Sequence, residues 1–297
     1  MRMLQGFGAA GGVVLAMAVV RDLFDGNAAA VMMSRLMLVM GVAPILAPTI
    51  GGFVLTVSTW RSIFLVLAVL GAVVVLLGLF AMPETLPVGA RTWPRPTVIA
   101  TNYGRLCTNP HFVRMVLVSG AGRVLMFSYI AASPFVLQGQ FGLSPQQFGL
   151  SFAGGAAVLI ASSQLKVVLL SRWGPRTLLR ATLSTGAVVG AVFVVLAATG
   201  TGGLWGFAVP VMALLAVMGS VMPNAPAVAL TDQREVAGTA SALIGGFQFT
   251  CAAAAAPVVG LLGNDALAVA SMMGGAAAVA ALLVFADRRR RLPNRNE

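Results

Sequence analysis

Nine long apolar stretches, separated by short polar segments, dominate this sequence. They cover approximately residues 1–20, 31–57, 61–82, 112–137, 148–170, 177–198, 204–230, 238–262 and 266–286. A helix needs about 20 predominantly apolar residues to cross a bilayer, and each of these stretches reaches that length. Because only 9% of the residues are charged, the chain has too few polar groups to cover a water-facing surface. The sequence therefore predicts an all-α polytopic membrane protein with about nine transmembrane helices.

Patterns typical of other protein classes are missing from the sequence. Strands of a membrane barrel alternate apolar and polar residues over about ten positions, whereas the apolar stretches here are much longer. His111 is the only histidine, and together with Cys107 and Cys251 it cannot supply a disulfide framework or a metal cluster. The sequence also lacks the P-loop, H-E-x-x-H and G-x-S-x-G patterns. We therefore expect no enzyme activity, no cofactor, no metal and no nucleic-acid partner.

The first apolar stretch contains glycines in the G-x-G-x-x-G spacing of dinucleotide-binding loops, at Gly6, Gly8 and Gly11. That pattern binds a pyrophosphate only between a strand and the start of a helix. Five residues precede Gly6, which is too few for a normal strand, and the apolar stretch continues to Val20. We interpret these glycines as packing residues, because small side chains let membrane helices approach each other closely.

The distribution of basic residues predicts the orientation of the helices. Arginines concentrate in the segments 21–30, 83–111, 171–176, 231–237 and 287–297. The loops at the opposite helix ends contain no Lys or Arg, and they cover residues 56–59, 138–147, 199–204 and 263–266. Because cytoplasmic loops carry the excess of positive charge, we expect the C-terminus to be cytoplasmic. Nine spans then place Met1 on the far side, so we expect that the first helices are missing or that the start is misassigned.

A proline-rich polar segment divides the apolar stretches into two groups. Residues 83–111 contain five prolines and four charged residues, and they form the longest polar connection of the chain. We predict that residues 1–82 form the remainder of an N-terminal bundle with three helices and that 83–111 form a cytoplasmic central loop. Residues 112–286 are expected to form a six-helix C-terminal bundle, and 287–297 a basic cytoplasmic tail.

Charged and proline-containing positions inside the apolar stretches are the candidate functional residues. A charge within a membrane span is costly, and it indicates a functional site by default. Arg123 lies well inside one stretch, followed by Tyr129, and both are candidates to line a cavity. Either Arg123 contacts substrate, or it is a structural arginine that pairs with a neighbour or reaches the interface. In the second stretch, Pro44, Pro48 and Gly52 are four residues apart, which predicts a kinked, closely packed helix face.

Several motifs, taken in their order along the chain, resemble the major facilitator superfamily, specifically its Bcr/CflA-type drug-resistance efflux branch. RMLQGFGAAGG resembles the family's fourth helix, with its R-x-x-Q-G motif at Arg2, Gln5 and Gly6. GVAPILAPTIGG resembles the antiporter motif of the fifth helix, at Gly41, Pro44, Pro48, Gly51 and Gly52. SRWGPRTLLR resembles the cytoplasmic motif between helices eight and nine, at Arg172, Gly174 and Arg176. Ala47 and Ser171 depart from the glycine and the acidic residue of the respective family patterns.

The resemblance implies a fold of twelve helices in two six-helix halves, of which this chain supplies helices four to twelve and lacks the first three and part of the fourth. It also implies proton-coupled export of small drug-like molecules across the bacterial inner membrane by a monomeric multi-pass protein. In the family, the arginine matching Arg2 is implicated in proton coupling, and the helix-five motif in the direction of exchange. The family's first helices, which commonly hold acidic groups, are missing here, so the sequence does not name the carboxylate partner of Arg2. It does not name the substrate either, because the apolar residues that could line a pocket are equally explained by lipid contact or packing.

Two alternatives to a drug:proton antiporter stay open. A chain with half of an N-terminal bundle cannot close a normal central pathway, which favours a truncated, non-transporting remnant. The other alternative is a structural or assembly partner in the membrane. A structural or assembly partner predicts retained stability without substrate flux.

Overall fold

The computed structural model describes residues 57–81, 96–170, 175–230 and 236–286 of the chain, together with thirteen isolated positions. These positions are 12, 16, 19, 20, 23, 24, 32, 47, 50, 51, 54, 173 and 233. The chain divides into two compact units, residues 1–94 and 95–297. Every regular element among the described residues is helical, as the apolar pattern predicts.

Eight α-helices, numbered here among the described residues, make up the structure. Their bounds are α1 Trp60–Ala81, α2 Pro96–Thr108, α3 Pro110–Pro134, α4 Pro145–Leu170, α5 Pro175–Thr199, α6 Gly203–Leu230, α7 Ala237–Leu261 and α8 Ala266–Ala286. Helix α3 continues without a break into a π-helical segment, Phe135–Gln140. There the amide of Phe141 donates to the carbonyl of Val136, five residues back, at 3.0 Å.

Seven helices are long and apolar enough to cross a membrane. They cover residues 60–80, 110–140, 145–165, 177–199, 203–230, 238–261 and 266–286. These helices confirm the last seven of the nine predicted spans and the prediction of a polytopic all-α membrane protein. The first two predicted spans, 1–20 and 31–57, fall largely outside the described residues.

The first unit is described mainly by α1, which has the highest mean hydropathy of the seven spans, 3.2. At the start of this helix, the guanidinium carbon of Arg61 lies 4.8 Å from the centroid of the Trp60 ring. The Trp60 ring also packs edge-on against Phe64, with 5.9 Å between the ring centroids. An arginine beside an aromatic ring at a helix end is typical of the membrane–water interface.

Helix α2 lies within the segment 83–111, which the sequence analysis treats as a loop. Pro96 stands at its first position, where a proline needs no amide hydrogen, and Leu106 is fully buried. The side-chain oxygen of Asn109 then accepts the amides of His111 and Phe112 at 3.1 and 3.2 Å, and α3 begins at Pro110. The segment predicted as the central loop therefore contains a helix that the sequence analysis did not predict, because prolines mark helix starts as well as breaks.

Helix α3 occupies the centre of the second unit, where it packs against α6, α7 and α8. Its buried residues are mostly small or apolar, and they include Ser119, Gly120, Gly122 and Ala132. Small residues at such positions let neighbouring helices approach closely in a membrane. At the end of the span, the side-chain oxygen of Gln140 accepts the amide of Ala266 at 3.0 Å, which ties α3 to the first residue of α8.

Candidate functional site

Arg123 lies near the middle of a continuous helical span. The span covers residues 110–140, so about 20 Å of helix separates Arg123 from the nearer end at 1.5 Å per residue. The side chain is half-buried. Because the helix is longer than a hydrocarbon core about 30 Å thick, its ends extend beyond the core, and Arg123, two residues from the midpoint of the span, lies within it.

The guanidinium of Arg123 contacts two consecutive residues of α7. Its Nε–H donates to the side-chain oxygen of Gln248, with 3.2 Å between the two atoms. Its Cζ lies 5.6 Å from the centroid of the Phe249 ring, within the range of a cation–π contact. Gln248 is only 8% exposed, whereas Phe249 is 50% exposed. The arginine is therefore held at a position where one partner is buried and the other reaches the surface of the unit.

Gly120 allows α7 to approach α3 closely enough for these contacts. It lies three residues before Arg123, and residues three apart share one side of a helix. A Cβ at Gly120 would meet Cδ1 of Phe247 at 2.8 Å and the sulfur of Cys251 at 2.9 Å. The absence of a side chain at this position thus brings the middle of α7 against α3, and with it Gln248.

None of the described helices that pack against α3 contains an acidic residue. No Asp or Glu occurs between Glu84 and Asp232, and none occurs in α7 or α8. Asp265 precedes α8, where its carboxylate accepts the amide of Ala268 at 2.7 Å. Within the ranges that the structure covers, Arg123 has Gln248 and Phe249 as its partners and forms no ion pair. Among the described residues, one of its five N–H groups has a hydrogen-bond acceptor, and the four on the terminal nitrogens have none.

Tyr129, the second cavity candidate, lies on a different side of α3. It is 4% exposed, and its ring stacks on Phe152 of α4 with 5.4 Å between centroids. Its hydroxyl has no hydrogen-bond partner among the described residues, and it lies 3.6 Å from where a Cβ of Gly155 would stand. Tyr129 therefore belongs to the core between α3 and α4, and the structure does not bring it to Arg123.

The remaining predicted site residues lie mostly outside the described part of the chain. These are Arg2, Gln5, Gly6, Gly41, Pro44, Pro48, Gly52, Arg172 and Gly174. Gly51 is described and is helical. Arg176 is the second residue of α5, and its side chain is not among the described ones. The roles assigned to all of these residues stay predictions.

Gln248 and Phe249 were not among the predicted site residues. Gln248 is an isolated amide within the apolar stretch 238–262. Such an amide could have indicated a polar contact inside the membrane from the sequence alone. Its partner lies 125 positions earlier in the chain. The pairing therefore depends on how α3 and α7 pack, which the spacing of residues within either helix does not reveal.

Comparison with known proteins finds a match over most of the chain. Residues 1–257 match the family model described as Major Facilitator Superfamily. The chain is similar to "Uncharacterized MFS-type transporter YdgK" of Bacillus subtilis, with 32% identity over 281 residues that cover 92% of this chain and 68% of the relative. It is also similar to "Bicyclomycin resistance protein homolog" of Haemophilus influenzae, with 30% identity over 90% of this chain and 67% of the relative. A shorter match, 31% identical over 178 residues, joins 60% of this chain to 45% of "Multidrug resistance protein MdtL" of Salmonella paratyphi B.

Proposed function

The chain belongs to the Major Facilitator Superfamily, and we propose that it acts as a drug:proton antiporter, which exports small drug-like molecules across the bacterial inner membrane. The observation that carries this proposal is the similarity to the bicyclomycin resistance protein homolog over 90% of the chain. The similarity to MdtL, which is called a multidrug resistance protein, supports the same class of substrate. Because the chain spans about two thirds of the first two relatives, the activity of the whole protein is part of the proposal.

Under this proposal, each predicted motif has a distinct role. Arg2, Gln5 and Gly6 take part in proton coupling, because a cation beside a carboxylate favours the ionised form and so can control when a proton is released. Gly41, Pro44, Pro48, Gly51 and Gly52 limit leak by forming a kinked, closely packed helix face. Residues 172–176 contribute to a cytoplasmic motif, and the arginine-rich tail keeps the C-terminus in the cytoplasm.

Within the second unit, we assign the contact with substrate to Arg123. Its support is the geometry at the middle of α3 and α7, where a charged side chain has an amide and an aromatic partner but no carboxylate. A charged group at this depth is costly, and in membrane proteins such groups mark substrate and ion pathways. The division into bundles 1–82 and 112–286 and the monomeric state belong to the same proposal.

Reconstitution of the full chain into liposomes tests the proposed function. Three fluorescent dyes are tested, one cationic, one neutral and one anionic. We expect at least one of them to cross the liposome membrane when a pH gradient is imposed and to stop crossing when a protonophore collapses the gradient. Dye movement equal to that of protein-free liposomes, with all three dyes, would contradict transport. In that case a folded protein, shown by its helical circular dichroism and a single species in detergent, would favour the structural or assembly role instead.

A further inference from the structure

We propose that Arg123 and Phe249 form a binding site for an amphiphilic organic anion. The guanidinium binds a carboxylate or a similar anionic group, and the Phe249 ring packs against the apolar body of the same molecule. This inference rests on the proposed transport function, since it names the class of substrate that the site accepts. It concerns a contact between α3 and α7 that none of the predicted motifs covers.

The charge of Arg123 supports this assignment. Arg123 is a permanent cation near the middle of a membrane span, and no described residue neutralises it. The sequence places no acidic residue in any helix from α2 to α8, so a counterion from these helices is not available. A charge buried without an opposite charge is retained at a cost, which an anionic ligand would remove by pairing with it.

The geometry of the guanidinium donors also fits a carboxylate. Gln248 accepts the Nε–H of Arg123 at 3.2 Å, which fixes the plane of the guanidinium while leaving the terminal nitrogens for another partner. Two N–H groups on adjacent guanidinium nitrogens match the two oxygens of a carboxylate, and such paired bonds are shorter and stronger than bonds between neutral groups. Gln248 is thus a positioning residue for the anion site.

The exposed residues of α7 beside Arg123 indicate which kind of anion can reach it. Phe249 is half exposed, and Thr250 beside it is also exposed. The Thr250 hydroxyl donates to the carbonyl of Gly246 at 2.9 Å, so it is already bonded within its own helix. A ligand that reaches Arg123 from this side therefore meets an aromatic ring rather than a second polar group, which favours an anion with an apolar body over a hydrated inorganic ion.

The depth of the site separates a substrate anion from a lipid headgroup. Arg123 lies two residues from the midpoint of its span, so a hydrocarbon core about 30 Å thick and centred on the span places it about 12 Å from the nearer headgroup layer. A phosphate that stays in the headgroup layer does not reach this position. The site therefore fits the anionic group of a substrate bound within the protein, not the headgroup of a lipid in the bilayer.

A matched pair of ligands tests the assignment. Binding of radiolabelled naphthalene-2-carboxylate and of the neutral naphthalene-2-carboxamide is measured at pH 7.5 on the full chain in nanodiscs of zwitterionic lipid. We expect the carboxylate to bind more tightly than the amide. Arg123→Gln should weaken carboxylate binding by roughly ten- to a hundredfold and leave amide binding unchanged, because charge-assisted hydrogen bonds are lost. Equal binding of the two ligands, or full affinity in Arg123→Gln, would overturn the proposal.

Three further variants separate binding from folding. Arg180→Gln removes a positive charge from α5 and should leave carboxylate affinity unchanged. Arg123→Lys keeps the charge without the planar fork, so it should retain part of the preference for the carboxylate even where Arg123→Gln does not fold. Phe249→Leu should weaken both ligands to a similar extent, because it removes the aromatic surface and not the charge. If the preference for the carboxylate over the amide disappeared in Arg180→Gln but persisted in Arg123→Lys, the anion would bind at a site other than Arg123 and the assignment would be overturned.

Nanodiscs with added phosphatidylglycerol distinguish the two sources of an anion. We expect that phosphatidylglycerol does not compete with naphthalene-2-carboxylate. Competition by the lipid that requires Arg123 would show that a lipid headgroup occupies the site, and it would overturn the assignment to a substrate. The binding assay needs no proton gradient. Binding without dye transport would therefore defeat the proposed function alone, and transport of neutral or cationic dyes without carboxylate binding would defeat this inference alone.

Discussion

Two helix contacts in the second unit are built on glycine, yet they place different groups against each other. Between α5 and α8, Gly190 and Gly274 meet backbone to backbone. A Cβ at Gly190 would lie 2.7 Å from Cα of Gly274, and one at Gly274 would lie 2.8 Å from the carbonyl oxygen of Gly190. Between α3 and α7, Gly120 faces the side chains of Phe247 and Cys251, and the arginine contact with Gln248 follows one turn later.

The two contacts differ in the atoms that meet, and this difference allows one bundle to contain both a close main-chain contact and a polar site. Lipid tails are as apolar as the helices, so close van der Waals contact has to hold the helices together. The contact between α5 and α8 supplies this with main-chain atoms that cannot move aside. The contact between α3 and α7 uses side chains instead, which leaves room for a guanidinium and an amide. We infer that the first contact mainly stabilises the unit and that the second carries function.

The largest effect on stability is expected from a methyl group at the contact between α5 and α8. Gly274→Ala should lower the free energy of unfolding by about 1–3 kcal/mol, because the new Cβ meets backbone atoms. Gly275→Ala is the matched control, since a Cβ there meets nothing within 4 Å, and it should be neutral or slightly stabilising. Unfolding by SDS, followed by circular dichroism, measures both variants. Equal stability of the two variants would contradict the close contact.

A double-mutant cycle tests the polar side of the comparison. Gln248→Leu removes the acceptor of the Arg123 Nε–H and leaves a buried donor without a partner, which should cost about 1–2 kcal/mol. Once Arg123 is replaced by Met, the same change should cost much less. The coupling free energy from SDS unfolding of the single and double variants measures the contact. Additive effects would show that the two side chains do not interact in the membrane.

A methyl group at Gly120 should have a smaller effect than one at Gly274. The opposing atoms belong to Phe247 and Cys251, whose side chains can rotate, so we expect a loss of about 1 kcal/mol or less in the free energy of unfolding. Gly245→Ala on α7 is the control, because its Cβ would meet nothing within 4 Å. SDS unfolding measures both, and a loss at Gly120 as large as that at Gly274 would remove the distinction between the two contacts.

The smallest effect is expected at Tyr129. Its buried hydroxyl has no described hydrogen-bond partner, so Tyr129→Phe should change the free energy of unfolding by no more than about 0.5 kcal/mol. Tyr129→Leu loses the stacking on Phe152 and should cost more. If Tyr129→Phe instead destabilised the protein by more than about 1 kcal/mol, the hydroxyl would have a partner and the core assignment would be wrong.

The sequence predicts the helices of this protein better than it predicts their contacts. The spans from α3 to α8 follow from long apolar stretches, because a membrane allows few other solutions. Helix α2 was missed because the prolines around it indicate irregular structure as strongly as they indicate helix starts. Arg123 was a candidate from the sequence because a charge within a span is conspicuous, whereas Gln248 is recognised as its partner only from the close packing of α7 against α3 at Gly120.

Transport of a permanently charged organic anion tests most directly whether the contact between α3 and α7 carries function. Radiolabelled naphthalene-2-sulfonate is followed in proteoliposomes with the unmodified chain, Arg123→Gln and Arg180→Gln, each with and without a pH gradient. The account predicts gradient-driven movement with the unmodified chain and with Arg180→Gln, and its loss in folded Arg123→Gln. Movement at the same rate in Arg123→Gln as in the unmodified chain would contradict it.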